Sequence, residues 1–246
     1  ADTSYRYSNG NGSLKWRYNF HEKHKMELAA GYDMYRYATY DKYNPVNSYE
    51  MTFSIQQVYS KLKFKSLLGK DHTLTYGVDA IGYDLSPGSY LPYGEESLVV
   101  PDILPKENAI EASAYLSHSW NISERFFMDY GLRYSLFTTK GKTYHHPEIR
   151  VSGRVMITDN ISFKAGFNSL TQYIHMLSNT TTMSPTDIWK LSDKDIRPQQ
   201  GWQAAGGFYT NLFQNKVEIS VEGYYKQMEH YLDYKSGAVL VMNRNL

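Results

Sequence analysis

The sequence predicts an all-β protein, specifically an antiparallel, up-and-down transmembrane β-barrel of which about 10 to 12 strands are present. Three observations lead to this prediction. Apolar and polar residues alternate along many long segments, the connections between segments are alternately short and long, and aromatic residues gather near segment ends. No segment has a convincing helical period, and no apolar run approaches the roughly 20 residues of a spanning helix.

The alternation is easiest to see in residues 25–40, KMELAAGYDMYRYATY. Leu28 and Ala30 fall on one face of a strand. Glu27 and Asp33 fall on the other, because successive side chains of a strand point to opposite sides. The same pattern, with partial strands at both chain ends, predicts ten full strands at about 13–20, 25–38, 51–67, 73–84, 109–120, 125–137, 148–157, 161–170, 200–211 and 216–231.

One predicted strand changes phase. In residues 51–65, MTFSIQQVYSKLKFK, the alternation shifts near Gln56 and Gln57. This shift predicts either a β-bulge or the point at which the strand leaves its layer.

The connections alternate in length, as an up-and-down meander requires. Short polar turns follow Phe20, Leu68, Trp120, Ile157 and Asn211. The predicted longer loops lie around 39–49, 85–108, 138–147 and 171–199. Short and long connections therefore fall at opposite ends of the strands.

The length of the strands and the composition of their faces favour a membrane barrel over a soluble sandwich. Strands of a soluble sandwich average about five or six residues. The apolar faces here contain small residues such as Ala80, Ala112 and Ala114, which would fill a protein core poorly but are tolerable against fluid lipid. Trp16, Tyr18, Trp120, Trp202 and Tyr225 lie near strand ends, where they can face lipid headgroups.

Composition excludes several functions. The chain has 246 residues with 26 basic and 25 acidic side chains, so no charge excess indicates nucleic-acid binding. It contains no cysteine, which excludes disulfides, thiolate catalysis and cysteine zinc sites. We predict no cofactor and no enzymatic activity. A self-contained outer-membrane barrel enzyme and a soluble all-β binding module remain as alternatives.

Four stretches carry a family resemblance. They are residues 72–88, HTLTYGVDAIGYDLSPG; 114–137, AYLSHSWNISERFFMDYGLRYSLF; 144–168, YHHPEIRVSGRVMITDNISFKAGFN; and the segment from Gly166, GFNSLTQYIHMLSNTTTMSPTDIWKLSDKDIRPQQGWQAAGGFY, continuing through VEISVEGYYKQMEHYLDYKSGAVLVMN. The sequence resembles the barrel of TonB-dependent outer-membrane receptors of the Bacteroidetes type. The resemblance covers most of the chain after about residue 50.

The resemblance implies a multi-pass protein of the Gram-negative outer membrane. Its barrel would have about 22 strands and be filled by a plug domain. Such a receptor imports a small, scarce nutrient of the siderophore, cobalamin, glycan or peptide class, and the plug receives energy from the TonB complex. We expect residues 1–246 to be a single barrel segment, with the plug domain and C-terminal strands absent. Whether a surface lipoprotein lid accompanies the barrel stays open.

Candidate site residues follow from face and loop position. Eight charged residues fall on the polar face and are predicted to line the lumen, where the resemblance implies contact with the plug: Glu111, Asp129, Arg133, Arg150, Arg154, Lys164, Glu218 and Glu222. In the long loop, Tyr173, His175, Met176 and Trp189 offer an apolar anchor. This loop either closes over ligand or packs structurally over the barrel mouth, and a turn or helix cap is predicted at 184–187.

Other candidates are weaker. His145 and His146 could bind a metal together only in a loop, since adjacent strand residues face opposite sides. No spacing selects a catalytic Ser, His and Asp set. Substrate choice is expected to depend on loops such as 85–105, whose Pro and Tyr residues offer a stiff stacking surface.

Overall fold

The computed structural model describes residues 3–177, 188–214 and 216–233. In these residues the chain forms thirteen β-strands and one short 3-10 helix, Pro45–Asn47, which confirms the all-β prediction. None of the helical structure in the described ranges is long and apolar enough to cross a membrane.

Ten of the strands form one continuous wall. Their bounds are β1 Thr3–His21, β2 His24–Asp41, β3 Tyr49–Leu68, β4 His72–Pro92, β6 Glu107–Asn121, β7 Phe126–Thr139, β8 Lys142–Met156, β9 Ile161–Gln172, β12 Gln199–Leu212 and β13 Val217–Glu229. A short strand, β5 Asp102–Ile103, pairs with β4. The remaining two strands, β10 Ile174–Leu177 and β11 Ile188–Leu191, form a separate hairpin.

Every wall strand pairs antiparallel with its neighbours along the chain, in the order β1-β2-β3-β4-β6-β7-β8-β9-β12-β13. This is the predicted up-and-down order, and most strands are longer than predicted. The predicted strand at 13–20 and the partial strand before it are one strand, β1. The predicted partial strand at the C-terminus lies outside the described residues.

Short and long connections separate to opposite ends of the wall, with one exception. The short connections are 22–23, 69–71, 122–125, 157–160 and 213–216, and the connections at the other end are 42–48, 93–106, 140–141 and 173–198. The predicted long loop at 138–147 is therefore wrong. There β7 and β8 continue until only Lys140 and Gly141 join them, and Gly141 has a φ of 90°, which favours glycine.

The phase change at Gln56 and Gln57 is not a bulge. Pairing between β2 and β3 runs without interruption through both residues, and the irregularity between β3 and β4 lies at Thr52/Ser54 instead. Successive side chains of β3 continue to point to opposite faces, but the surroundings of each face change along the strand. Toward the long-connection end, the face of Gln57 becomes apolar with Ile55 and the face of Gln56 becomes polar, so the strand leaves one layer for another.

The outer face of the wall carries an apolar band near the short turns. Leu14, Leu28, Val78, Leu116 and Leu132 occupy it on β1, β2, β4, β6 and β7. With 19 residues in β1 and 21 in β4, these strands extend roughly 60–70 Å at about 3.3 Å per residue. A tilted crossing needs only about 9–11 residues, so the strands project well beyond a bilayer at the long-connection end.

Polar outer-face residues mark where the band ends. Arg36 on β2 and Asp84 on β4 interrupt the outer apolar pattern on the side of the long connections. Both side chains are exposed. Because a charge facing hydrocarbon is costly, the edge of the bilayer lies between these positions and the short connections.

The main buried cluster lies on the opposite, inner face. This mouth cluster consists of Phe53, Tyr83, Leu85, Ala109, Phe137, Tyr173 and Leu191. It joins the long-connection ends of the wall strands to the β10–β11 hairpin. The hairpin therefore packs against the inner face at that end.

The two faces of β2 give a direct test of this architecture. Leu28→Lys and Ala30→Lys place a charge on the lipid-facing side and should each destabilise the barrel by about 2–4 kcal/mol if they lie near the bilayer centre. Ala29→Lys faces the inner side near Lys15 and Lys61 and should cost less than about 1 kcal/mol. Urea unfolding of the protein in lipid vesicles measures the difference, and equal effects at all three positions would contradict the assignment.

Candidate functional site

The inner face is the polar side of the wall strands, and it carries the candidate residues. Register and alternation place Glu111, Asp129, Arg133, Arg150, Arg154, Lys164, Glu218 and Glu222 on this side. They do not form one cluster. They extend over the wall from β6 to β13, and the structure brings together only some of them.

Arg133 on β7 is the centre of the most connected group. Its guanidinium donates to both oxygens of Asp79 on β4, with Nη1–Oδ2 at 3.1 Å and Nη2–Oδ1 at 3.0 Å. It also donates to the Ser113 hydroxyl, which itself donates to Asp79, and it lies 4.0 Å from the Glu148 carboxylate. We call Asp79, Ser113, Arg133 and Glu148 the wall cluster.

Burial makes the wall cluster a structural requirement. The Asp79 side chain is 9% exposed and that of Arg133 is 33% exposed. A buried carboxylate without a cation would carry a large desolvation penalty, and two parallel hydrogen bonds from Arg133 offset it. The cluster fixes β4, β6, β7 and β8 to one another below the mouth.

A second polar contact connects this wall to the mouth cluster. Tyr83 donates a 2.9 Å hydrogen bond to Glu111 Oε2, and its ring is part of the mouth cluster. Glu111 is thus one of the predicted residues with a defined partner. Its contact is with the wall itself.

The other predicted residues have separate neighbours. The Ser119 hydroxyl donates to Asp129, and Tyr209 donates to Glu222 at 2.6 Å. The ammonium of Lys164 lies 4.3 Å from the Tyr209 ring centroid, and Arg154 lies 5.9 Å from that of Phe127. Arg150 lies opposite Gly131 and Asn168, and Glu218 lies opposite Asn211.

Charged contacts fix the hairpin to the wall. The Lys190 ammonium on β11 donates to the Glu107 carboxylate at the start of β6 and to Asp193 at 3.1 Å. Glu107 also accepts from the Leu191 backbone at 3.1 Å. Burial alone would disfavour the ammonium, but Glu107 and Asp193 outweigh that effect and raise the pKa of Lys190 above its ordinary value.

Tyr173 anchors the first arm of the hairpin. Its ring stacks on Phe137 with centroids 4.7 Å apart, and its hydroxyl lies 2.6 Å from the Ser135 hydroxyl and 3.3 Å from His146 Nδ1. His145 points to the outer face and contacts the Tyr134 hydroxyl at 2.8 Å. The two adjacent histidines therefore lie on opposite sides of β8. The described residues contain no group of three or more His, Cys, Asp or Glu side chains placed to hold a metal ion.

His175 is buried inside the hairpin fold. It is 3% exposed, its Nε2 lies 2.8 Å from the Ser192 hydroxyl, and its Nδ1 is buried with no hydrogen-bond partner. Burial, reinforced by the charge of Lys190 and opposed by Asp193, lowers the pKa of His175 below the usual 6.5. The docked hairpin therefore holds this histidine in its neutral form.

Four residues with defined partners were not among the site residues predicted from the sequence: Asp79, Glu107, Glu148 and Lys190. Parity alone would have placed Asp79 and Glu148 on the polar face. No local signal links Lys190 to Glu107, because they are 83 residues apart. The predicted turn at 184–187 lies outside the described residues. The predicted substrate loop at 85–105 begins within β4, and its outer part contacts the 42–48 connection, with a 2.8 Å bond from Leu98 N to Val46 O.

Membrane-length antiparallel strands, an apolar outer band and a charged, internally bonded inner face define a segment of a transmembrane barrel wall. The family model described as "TonB dependent receptor-like, beta-barrel" matches residues 1–244. The chain therefore belongs to the family of TonB-dependent receptor barrels. No curated protein matches the sequence.

Solved structures agree with this fold. The "Copper transporter OprC" superposes with a TM-score of 0.69 at 14% identity, covering 91% of this chain and 40% of its own. The ferric preacinetobactin receptor BauA of Acinetobacter baumannii gives 0.62 at 13%, covering 90% and 37%, and the RagAB peptide transporter gives 0.60 at 13%, covering 94% and 31%. This chain thus spans 40% or less of each of these proteins. The family and these structures are receptors and transporters, in agreement with the prediction that the protein is not an enzyme.

The wall cluster gives a stability prediction. Arg133→Met leaves the Asp79 carboxylate without its cation and should destabilise the barrel by about 2 kcal/mol. Arg125→Met removes a pair with Asp159 that is exposed on both sides and should cost less than about 1 kcal/mol. Urea unfolding in lipid vesicles measures both variants. Equal losses would show that the wall cluster contributes no more than a surface pair.

His175 gives a pH prediction. Because its pKa is lower in the docked hairpin than in the open one, docking is fully stable above pH 6.5 and weakens as the pH falls below 6.5 toward the lower, docked-state value. The chain contains no cysteine, so Leu177→Cys, at a buried hairpin position, reports opening through thiol labelling. Tyr43→Cys, at an exposed position, corrects for the pH dependence of the reagent.

The labelling rate of the Leu177→Cys variant, divided by that of the Tyr43→Cys variant, should therefore rise as the pH falls from about 7.5 to about 5. Adding His175→Gln, which retains a polar group near Ser192, should flatten this pH dependence. A ratio that is independent of pH with His175 in place would contradict the prediction.

Proposed function

We propose that this chain forms part of the barrel wall and extracellular connections of a TonB-dependent outer-membrane transporter of the Bacteroidetes type. The transporter takes up a scarce nutrient across the Gram-negative outer membrane. The residues of this segment act by position, through lipid contact outside and polar contact inside, and form no covalent intermediate.

The proposal rests on one observation. The strands are long enough to cross a bilayer, and their two faces differ in polarity. The outer band has Val78 and Leu116 more than half exposed, which suits lipid. On the inner side of the same strands, Asp79 and Arg133 form a bonded ion pair. A soluble module would not be expected to expose a continuous band of apolar side chains to water. Family membership supports the transport role.

The partners follow from this role. Outer-membrane lipid covers the apolar band, and the protein's own plug domain fills the lumen against the inner face. The remaining polar groups of Arg150, Arg154 and Glu218 are available to that plug. The TonB complex acts through the plug, and a surface lipoprotein lid would sit at the long-connection end, where the hairpin lies.

The nutrient is of the siderophore, cobalamin, glycan or peptide class. The similar solved structures are named for copper, ferric-siderophore and peptide transport, so the shared wall does not select among cargoes. Selection belongs to the mouth, where the hairpin and the 93–106 connection meet incoming solutes.

The whole receptor in its host tests the transport role. Deleting the receptor gene should impair growth on one nutrient class in a panel of iron chelates, cobalamin, glycans and peptides supplied at limiting concentration. Deleting tonB should reproduce that defect, and the double deletion should be no worse. Uptake that depends on the receptor but continues at full rate without TonB would contradict the proposal.

A further inference from the structure

A pocket lies between the hairpin and the first strands of the wall. The wall contributes Tyr35 and Ile55, and the hairpin contributes Ile174, Met176 and Trp189. Its volume is about 490 Å³. This lies in the lower part of the range for small-molecule sites, about 300–1,000 Å³, so the pocket suits one amphipathic group and not a large cargo.

One charged side chain lines this hairpin pocket. Asp33 on β2 lies one inner-face position deeper than Tyr35, and Gln57 on β3 donates to its Oδ2 at 2.7 Å. A carboxylate has about four acceptor positions, so this single bond leaves Asp33 able to accept more. Among the residues that the structure describes, no Lys, Arg or His forms an ion pair with Asp33.

The Tyr59 ring covers the neighbouring inner-face position on the short-connection side of Asp33. Gly31 is the next inner-face residue on β2, and a Cβ there would lie 2.4 Å from the Tyr59 ring. Glycine therefore lets the Tyr59 ring lie across the wall next to Asp33. Asp33 itself lines the pocket together with the hairpin residues.

The hairpin supplies the opposite wall through one face. Met176 and Trp189 are cross-strand partners, so their side chains lie on the same side of the hairpin. Trp189 packs partly against the mouth cluster, whereas Met176 is 48% exposed. Lys190 points to the other side of the hairpin, where Glu107 and Asp193 hold it.

This arrangement places one under-coordinated anion among aromatic, thioether and aliphatic groups. An ammonium or guanidinium donates charge-assisted hydrogen bonds to a carboxylate and is attracted to aromatic faces. An anionic group would be repelled by Asp33, and a purely apolar group would leave the carboxylate partly desolvated and unpaired.

We propose that the hairpin pocket binds an organic cation, an ammonium or guanidinium carried on an apolar or aromatic body, with Asp33 as its counter-ion. The pocket would receive this group as part of the transported solute, so the inference rests on the proposed uptake function. It narrows the cargo to molecules that carry such a group.

Equilibrium binding to the full-length receptor in detergent tests the proposal. The probe is phenethylamine, with 2-phenylethanol and 3-phenylpropionate as neutral and anionic analogues of similar size. Saturable quenching of tryptophan fluorescence reports occupancy of the hairpin pocket. This quenching should be absent in the Trp189→Phe variant. We expect phenethylamine to bind more tightly than either analogue.

Matched variants assign the binding to Asp33. Asp33→Asn should weaken phenethylamine binding by about tenfold or more, as loss of a charged hydrogen-bond partner does, and leave 2-phenylethanol unchanged. Met176→Lys, which places a competing ammonium at an exposed position, should abolish phenethylamine binding. Asp84→Asn removes the same charge from the opposite face and should have no effect.

Equal affinity for the cation and the anion, unchanged binding in Asp33→Asn, or no saturable quenching in the full-length protein would each overturn the proposal. The last result would mean that the plug or the remaining strands fill the pocket. Binding in detergent needs no energy coupling, so these failures leave TonB-dependent uptake intact. Conversely, uptake without TonB would overturn the transport proposal and not the cation site.

Discussion

Every backbone amide that crosses a bilayer must find its hydrogen-bond partner within the protein, and this requirement determines how the wall is built. Hydrocarbon offers no hydrogen bonds, and each unpaired group there costs several kcal/mol. The wall meets this requirement by pairing each strand with its neighbours over long, continuous registers. The pairing of β2 with β3, for example, runs without a shift from His24↔Ser66 to Asp41↔Tyr49.

Once the backbone is fixed in this way, the side chains can only alternate between two faces, and each face meets more than one medium along its length. Near the short turns the outer face meets lipid and the inner face meets water. Beyond Gln56 and Gln57 the relation reverses, since Ile55 and Phe53 turn inward to the mouth cluster and Ser54 turns out to water. The strand therefore keeps its two-residue alternation and its register while its side chains meet lipid, water and the buried mouth cluster along its length.

The two-residue alternation explains which features the sequence could predict and which it could not. Alternation was enough to place Arg133 and Glu222 on the inner face and Leu28 on the outer, because face depends only on parity. Alternation cannot give the partner of a side chain, since partners depend on register between distant segments. Asp79 binds Arg133 across an intervening strand, and Lys190 meets Glu107 through a hairpin that folds back into the barrel.

The local pattern of polar residues gave one wrong prediction. The polar stretch around Lys140 and Gly141 resembled a long loop, yet β7 and β8 continue to a two-residue turn, because strands that have left the bilayer no longer need apolar residues outside. The phase change at Gln56 and Gln57 allowed either a bulge or a change of layer, and the structure has the change of layer. Both features arise because the strands extend roughly twice the thickness of the membrane, so each face meets different surroundings along its length.

The hairpin combines the two kinds of contact found in the wall. Tyr173 and Leu191 are buried in the mouth cluster, and Lys190 is bound by carboxylates. Between them, burial holds His175 neutral with one nitrogen unpaired, which makes docking of the hairpin dependent on pH. The hairpin thus adds a titratable, buried histidine to the apolar and charged contacts that fix it to the wall.

Alternate residues of these strands face lipid and an aqueous lumen, and spin-label accessibility along β7 measures this alternation. Single cysteines are placed in turn at residues 126–130, 132 and 134 of the full-length receptor in lipid vesicles, and relaxation by oxygen is compared with relaxation by a water-soluble nickel chelate. We predict that labels at the positions of Phe126, Met128, Tyr130, Leu132 and Tyr134 favour oxygen, relative to the chelate, more than those at the positions of Phe127 and Asp129 do. An accessibility profile without this two-residue period would contradict it.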